Sequence, residues 1–130
     1  MSDPPNLPLA GVVVLDFGQV YQGPYATLLM AGAGSDVIKI EPPHGEPLRR
    51  RAPPGKSTTF PIAMLNSNKR AITLNLKHER GRALLFEMAR RADVLLENFS
   101  PGPWTGSVSA GRNSTASTHA LSMPPAQAMA

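Results

Sequence analysis

The 130-residue chain contains no cysteine. Disulfide bonds, thiolate nucleophiles and cysteine-ligated metals are therefore excluded, and with them the class of small secreted proteins stapled by disulfides. The three histidines, His44, His78 and His119, lie far apart and lack the close spacing of a zinc site. We accordingly expect no metal centre in this chain.

Long apolar segments and clustered aromatic residues are also missing. The longest apolar run is far short of the ~20 residues that span a membrane, and no basic stretch precedes an apolar core at the N-terminus. The four Phe, two Tyr and one Trp are scattered, unlike the aromatic residues of proteins that bind single-stranded nucleic acid. We expect a cytoplasmic protein that binds neither membranes nor nucleic acid, although its net charge of +4 suits an anionic small molecule.

Strand and helix patterns alternate along most of the chain. The strand patterns lie at residues 12–15, 37–41, 71–76 and 94–97, and the helical patterns at 25–33 and 78–91. Pro24 stands where the first residue of the first helix would be, and Gly34 supplies its stop. This order predicts an α/β protein with a Rossmann-like, open and mostly parallel sheet.

A loop dense in Pro, Gly and Arg is predicted at residues 42–59, followed by a short apolar piece at 60–65. Within the loop, residues 55–57 resemble the end of a phosphate-binding P-loop. The first glycine of that motif would fall on Arg50, so we discard the match. The run 49–51 consists of three arginines. Their guanidinium groups either bind phosphate in forked geometry or belong to a solvated loop.

Three carboxylates, Asp16, Glu41 and Glu97, stand at the C-terminal ends of predicted strands, where open α/β sheets form their ligand crevice. Their position makes them candidates for catalysis. The alternative is that they cap backbone amides or form ion pairs. The basic residues considered for such pairs are Lys39, Lys69 and Arg70.

Two glycine-containing segments flank the first predicted helix. Residues 18–24 lie between strand and helix, where backbone amides at a helix N-terminus can face a phosphate or a carbonyl. They do not form a dinucleotide-binding fingerprint. Gly32 and Gly34 come after the helix rather than before it, so we interpret them as a helix cap and turn.

Six ordered motifs resemble the N-terminal portion of class III CoA-transferases. This family includes carnitine, bile-acid and formyl CoA-transferases and, as relatives, α-methylacyl-CoA racemases. The motifs occupy residues 9–17, 23–27, 36–43, 68–70, 74–77 and 92–102. One departure is the stretch 31–35, which is richer in glycine than is usual in the family and predicts a looser helix end.

The resemblance implies transfer of coenzyme A (CoA) between an acyl-CoA and a carboxylic acid through a covalent aspartyl intermediate. It implies CoA or acyl-CoA as a substrate rather than a permanently bound cofactor, and interlocked homodimers in full-length relatives. The family's nucleophile lies beyond the matched motifs, and Asp16, Asp36 and Asp93 do not match it, so we assign no catalytic residue. The implied CoA contacts are Tyr21, Gln22, Leu74, Lys77, Asn98 and Phe99.

Residues 103–130 differ from the rest, since they hold one charged side chain, Arg112, and no periodic pattern. Back-translated with G/C-rich codons and read from the third base of the Pro103 codon, they give a peptide beginning Met-Asp-Arg-Leu-Gly-Leu-Gly-Trp, similar to the family's continuation. We therefore expect a frameshift after Gly102, with residues 1–102 an incomplete CoA-binding domain and 103–130 an out-of-frame, disordered tail. Sequencing the coding DNA through this codon tests the hypothesis, and an in-frame gene would contradict it.

Two alternatives remain open from the sequence. The chain could be a fragment of a racemase, which moves a proton of an acyl-CoA instead of transferring CoA. It could also be a free-standing module that binds CoA or a nucleotide. Solubility distinguishes the module from a fragment, because a fragment exposes unpaired sheet edges and aggregates whereas a module is monomeric.

Overall fold

Strands and helices alternate along the chain in the computed structural model, which describes residues 6–56 and 58–99 and the backbone of 118–120. The elements are β1 (Val13–Asp16), α1 (Gln22–Gly32), β2 (Asp36–Glu41), a 3₁₀ helix (Pro47–Arg51), α2 (Phe60–Leu65), β3 (Arg70–Thr73), α3 (Glu79–Ala89), β4 (Val94–Leu96) and β5 (Thr118–Ala120). None of the helices in this part of the chain is long and apolar enough to cross a membrane.

The strands form one sheet in the order β3-β2-β1-β4-β5. The first four strands are parallel, and β5 pairs antiparallel with β4. The chain starts at β1, moves outward to β3, and returns through α3 to the opposite side of β1. This reversal creates a topological switch point at the carboxyl ends of β1 and β4, where open α/β sheets bind ligands. The predicted Rossmann-like, mostly parallel sheet is confirmed.

Neighbouring side chains of β1 are buried on opposite faces of the sheet. Val14 is buried in a cluster with Ala31 of α1. Leu15 is buried in a second cluster with Leu85 of α3. Helix α1 therefore covers one face of the sheet and α3 the other, as parallel strands require.

Helix α1 begins earlier than its apolar pattern predicts. The pattern starts at Tyr25 and places Pro24 at the first helical position, whereas the helix begins at Gln22 and Pro24 is its third residue. Proline is tolerated there because the first four N–H groups of a helix have no partner within it. The predicted start of this helix was therefore wrong.

Gly34 ends helix α1 in a left-handed conformation, with φ 102°. Its N–H donates to the Ala31 carbonyl at 3.2 Å, and the Ser35 N–H donates to the Met30 carbonyl at 3.1 Å. These two bonds form a Schellman motif. The interpretation as a cap and turn is confirmed, and the looser end expected for residues 31–35 is wrong.

Strand β3 is shorter than predicted, and all four of its residues are exposed at the edge of the sheet. The strand was expected to reach residue 76, but the Asn75 side-chain oxygen accepts the Lys77 N–H at 3.1 Å and turns the chain. Helix α3, predicted at 78–91, follows with His78 as its N-cap. The local hydrogen bonds of Asn75 and His78 set these boundaries.

The loop predicted at residues 42–59 contains regular structure after all. Pro47 begins the 3₁₀ helix, where its fixed φ suits the first turn. The Arg49 N–H then donates to the Glu46 carbonyl at 2.9 Å. The expectation that this whole segment is irregular is wrong for that turn.

The predicted out-of-frame tail, residues 103–130, lies outside the described residues except for the backbone of β5. This strand pairs Thr118 with Leu96 and Ala120 with Val94. The reading-frame hypothesis and the division of the chain at Gly102 stay predictions.

Gly81 of α3 offers a test of the packing between this helix and the turn before it. A Cβ atom at Gly81 would lie 2.1 Å from the carbonyl oxygen of Asn75. We expect Gly81→Ala to lower the free energy of unfolding by about 1–3 kcal/mol, because backbone must move to accommodate the methyl group.

The matched control is Gly32→Ala, since Gly32 is also helical and a Cβ there meets nothing within 4 Å. This variant should raise the free energy of unfolding by up to about 1 kcal/mol. Urea unfolding followed by circular dichroism measures both variants. Equal stability of the two would contradict the described packing of α3.

Candidate functional site

The segment that follows β1, residues 17–21, is called here the switch-point loop. Asn98, which follows β4, joins it through both ends of its side-chain amide. Its oxygen accepts the Gln19 N–H at 2.7 Å, and its nitrogen donates to the Gln19 carbonyl at 3.0 Å. The two segments that flank the switch point are therefore bonded to each other.

Three more side chains, all of them buried, form hydrogen bonds with the backbone of the switch-point loop. Asp16 accepts the Gly18 N–H at 2.7 Å, and Lys39 of β2 donates to the Gly18 carbonyl at 2.7 Å. Glu46 accepts the Val20 N–H at 2.7 Å. Together with Asn98, these side chains hold the backbone of residues 18, 19 and 20 through hydrogen bonds within the chain.

Gly18 and Gly23 allow the switch-point loop to contact the first turn of α1. A Cβ atom on Gly23 would lie 2.7 Å from the Cα atom of Gly18, and one on Gly18 would lie 2.8 Å from the Gly23 carbonyl carbon. Real side chains essentially never approach so closely. Glycine at both positions is therefore required by backbone contact rather than by backbone conformation.

Asp16 and Lys69 form a buried ion pair below α1, with an Nζ–Oδ2 distance of 2.9 Å. The Asp16 side chain is fully buried and that of Lys69 is 1% exposed. Thr27 of α1 donates to Asp16 Oδ2 at 2.6 Å, and Lys69 also donates to the Pro24 carbonyl at 2.9 Å. Burial lowers the pKa of Lys69 below its usual value, and the Asp16 carboxylate opposes that shift.

Glu41, at the end of β2, forms a two-pronged ion pair with Arg49, with both N–O distances 2.7 Å. The hydrogen bond from Arg49 lowers the pKa of the Glu41 carboxyl, although burial acts in the opposite direction. Sequence analysis considered other partners for Glu41 and treated the run 49–51 as one patch. Arg50 and Arg51 are exposed there, whereas Arg49 is engaged by Glu41.

All three strand-end carboxylates are bonded within the chain, as the alternative interpretation expected, although the partner of Glu41 is not among the basic residues considered. Asp16 pairs with Lys69, Glu41 pairs with Arg49, and Glu97 accepts the Phe99 N–H at 2.8 Å. Asp36 and Asp93, which sequence analysis compared with the family's nucleophile, are also bonded within the chain. Arg70 pairs with Asp36, and Asp93 accepts the Val13 N–H at 2.9 Å.

The predicted CoA contacts all follow the carboxyl ends of β1, β3 and β4. Tyr21 is the N-cap of α1 and 50% exposed, and Gln22 is the exposed first residue of that helix. Leu74, only 6% exposed, belongs to the apolar cluster beneath the crevice. Its side chain is therefore packed in the core, and its N–H donates to the Glu41 carbonyl at 2.9 Å.

The other three predicted contacts differ in how much of each side chain is available. Lys77 is exposed, and its carbonyl accepts a bond from Arg82 at 3.1 Å. The side-chain amide of Asn98 is occupied by the switch-point loop. Phe99 is partly buried against the same apolar cluster as Leu74. The described geometry thus brings these residues to one edge of the sheet without testing their contact with CoA.

Sequence analysis missed Glu46 and Thr27, and treated Lys39 only as an ion-pair partner. Glu46 lies in an aperiodic loop, so no pattern pointed to its burial. Lys39 carried a signal, because it interrupts an otherwise apolar strand and is 2% exposed in the structure. A charged residue at such a position indicates a specific buried partner, here the Gly18 carbonyl.

A cavity of about 240 Å³ lies beside β2 and β3, and its lining includes Lys39 but no residue of the switch-point loop. Its lining includes three basic residues already engaged by carboxylates, Arg49, Lys69 and Arg70. The six predicted CoA contacts are not among its lining residues. We therefore place the candidate site at the switch point rather than in this cavity.

Comparison with known proteins agrees with the fold. The chain matches CoA-transferase family III over residues 9–107, more than half of its length. The chain belongs to this family. A formyl-CoA:oxalate CoA-transferase from Streptomyces coelicolor is 52% identical over 97 residues, which are 72% of this chain and 23% of that protein. An acetyl-CoA:oxalate CoA-transferase from Acetobacter aceti is 42% identical over 99 residues, 75% of this chain and 25% of that protein.

Two solved structures have the same fold over the part that matches. A hypothetical protein from Mycobacterium tuberculosis superposes with a TM-score of 0.71 at 36% identity, over 79% of this chain and 28% of that one. A CAIB/BAIF family protein from Brucella suis gives 0.67 at 34% identity, over 72% and 26%. The chain therefore spans about a quarter of the length of the relatives it matches.

Removing Lys69 tests whether the buried ion pair holds the site together. We expect Lys69→Met to lower the free energy of unfolding by about 3–5 kcal/mol, because the Asp16 carboxylate is left buried without its cation. The matched control is Arg70→Met, which breaks the exposed pair with Asp36 and should change stability little. Urea unfolding measures both, and similar losses for the two variants would contradict the assignment.

The pair between Glu41 and Arg49 predicts an acid-sensitive contribution to stability. The pKa of Glu41 in the folded chain is lower than its usual value of 4.5, so between these two values the unfolded chain binds more protons. Stability therefore rises with pH through that window and is lost as pH falls through the folded pKa.

The variant Glu41→Gln should be less stable than the wild type at neutral pH and should lose most of this slope. Urea unfolding at a series of pH values between about 2 and 7 measures it. A slope in the variant equal to that of the wild type would show that Glu41 does not supply the acid-sensitive contribution.

Proposed function

We propose that this chain is the CoA-binding N-terminal part of an enzyme that transfers CoA from an acyl-CoA to a carboxylic acid. The observation that carries the proposal is the family match over residues 9–107, a range that includes the switch-point loop and Asn98. The names of the similar transferases suggest a small acyl-CoA as donor and a dicarboxylate, oxalate, as acceptor.

The proposed role of this part is to bind and orient CoA. The start of α1 presents the exposed side chains of Tyr21 and Gln22, while the amides of residues 18–20 are bonded within the chain. Lys77 supplies positive charge at the same edge of the sheet, which suits the phosphates of CoA. Asn98 contributes by holding the loop, because its side-chain amide is already bonded to Gln19.

In the proposed reaction, a carboxylate nucleophile attacks the thioester carbonyl of the acyl-CoA, forming a mixed anhydride and releasing CoA as the thiolate. The resemblance assigns that nucleophile to an aspartate outside the matched motifs. Each strand-end carboxylate of this chain is bonded within the fold. We therefore propose that the chain alone does not transfer CoA, and that residues 1–102 are an incomplete domain.

Calorimetry with CoA on the 130-residue chain tests the binding role. We expect Lys77→Ala to weaken CoA binding by about three- to tenfold, because an exposed ammonium attracts the phosphates. The difference should shrink as salt rises from about 0.05 to 0.5 M. Lys56→Ala is the matched control, since it removes the same charge from an exposed turn outside the site. No CoA binding by the wild type, or equal effects of the two variants, would contradict the proposal.

A further inference from the structure

Val20 has a backbone conformation that β-branched residues rarely adopt. Its φ is 62°, in the left-handed region. The branched Cβ of valine makes this region unfavourable, whereas glycine enters it freely. Such a conformation persists only where surrounding contacts enforce it.

Glu46 supplies a contact that favours this conformation. Its Oε1 accepts the Val20 N–H at 2.7 Å, and the residue is only 2% exposed. Its other oxygen, Oε2, is buried without a hydrogen-bond partner among the residues that the structure describes. A buried carboxylate with a hydrogen bond at only one of its oxygens contributes little to stability. The bond to the Val20 N–H therefore indicates a role other than stabilising the fold.

The conformation of Val20 decides where the next two residues lie. Tyr21 is the N-cap of α1 and its side chain makes no capping hydrogen bond. Gln22 is the first residue of the helix. The direction in which the chain enters α1 at the switch point therefore depends on the backbone angle at Val20, because the residues before it are fixed by Lys39 and Asn98.

We propose that Glu46 is a positioning residue that holds Val20 in the left-handed conformation and thereby presents Tyr21 and Gln22 to CoA. The inference rests on the proposed function, because these two residues are CoA contacts by family resemblance. Glu46 acts through the Val20 amide and does not itself contact CoA. Experiments can therefore distinguish this role from that of a carboxylate that repels anions and from that of a carboxylate that only stabilises the fold.

Amide hydrogen exchange tests the first half of the proposal without CoA. In the 130-residue chain, Glu46→Ala should accelerate exchange at the Val20 amide by about tenfold or more, while Glu46→Gln, which keeps an acceptor oxygen, should leave it near the wild-type rate. The Gln19 amide, bonded to Asn98, is the internal control. Unchanged exchange at Val20 in Glu46→Ala would overturn the proposal.

Should Glu46→Ala fail to fold, Glu46→Asp replaces it. Aspartate keeps the buried charge but is one methylene too short to reach the Val20 amide from the same backbone position. The same acceleration at Val20 is expected, and wild-type exchange in this variant would equally overturn the proposal.

CoA calorimetry tests the second half. Glu46→Ala should weaken binding about tenfold, and Glu46→Gln less than threefold. In a Val20→Gly background the loss caused by Glu46→Ala should shrink to under about threefold, because glycine adopts the left-handed conformation without strain. An equal loss in both backgrounds would overturn the proposal, since a purely structural or electrostatic role of Glu46 is additive with Val20→Gly.

The two experiments separate failure of this inference from failure of the proposed function. If the wild-type chain does not bind CoA, the proposed function fails, and with it the claim that Tyr21 and Gln22 are presented to CoA. If the wild type binds CoA but exchange at Val20 is insensitive to Glu46, the function stands and the positioning role is wrong. Accelerated exchange at Val20 together with the non-additive loss of CoA affinity supports both the proposed function and the positioning role of Glu46.

Discussion

The buried ion pair between Asp16 and Lys69 is the interaction on which the rest of the described fold depends. Asp16 ends the central strand β1, and Lys69 stands just before the edge strand β3. The same ammonium also bonds Thr27 and the Pro24 carbonyl in the first half of α1. One desolvated charge pair thus connects the carboxyl end of the central strand, the start of the edge strand and the covering helix.

A second set of polar contacts, which shares Asp16 with this pair, fixes the switch-point loop. Asp16 uses its other oxygen for the Gly18 N–H, while Lys39, Asn98 and Glu46 bind the next groups along the loop. Because the loop backbone is ordered by the protein itself, a ligand does not have to supply that ordering energy. A preorganised loop of this kind suits a family whose members bind the large and flexible CoA molecule.

The sequence predicted the parts of this fold that local patterns determine. β-branched runs located the strands, and Gly34 located the end of α1 through the Schellman motif it forms. The order of elements and the family motifs located the candidate site. Contacts between distant segments were not predictable in the same way, because no local pattern pairs Glu41 with Arg49 or brings Glu46 to Val20. The left-handed valine in particular has no sequence signal, since glycine is the residue that such a conformation normally favours.

The central claim is that hydrogen bonds from side chains of the same chain order the switch-point loop without a ligand. Native-state hydrogen exchange in the unliganded chain tests it most directly, by comparing the amides of Gly18 and Gln19 with that of Leu15 in β1. The account predicts that all three exchange only through global unfolding, with the same dependence on urea. Exchange of Gly18 and Gln19 at the rate of an open surface loop, while Leu15 stays protected, would contradict it.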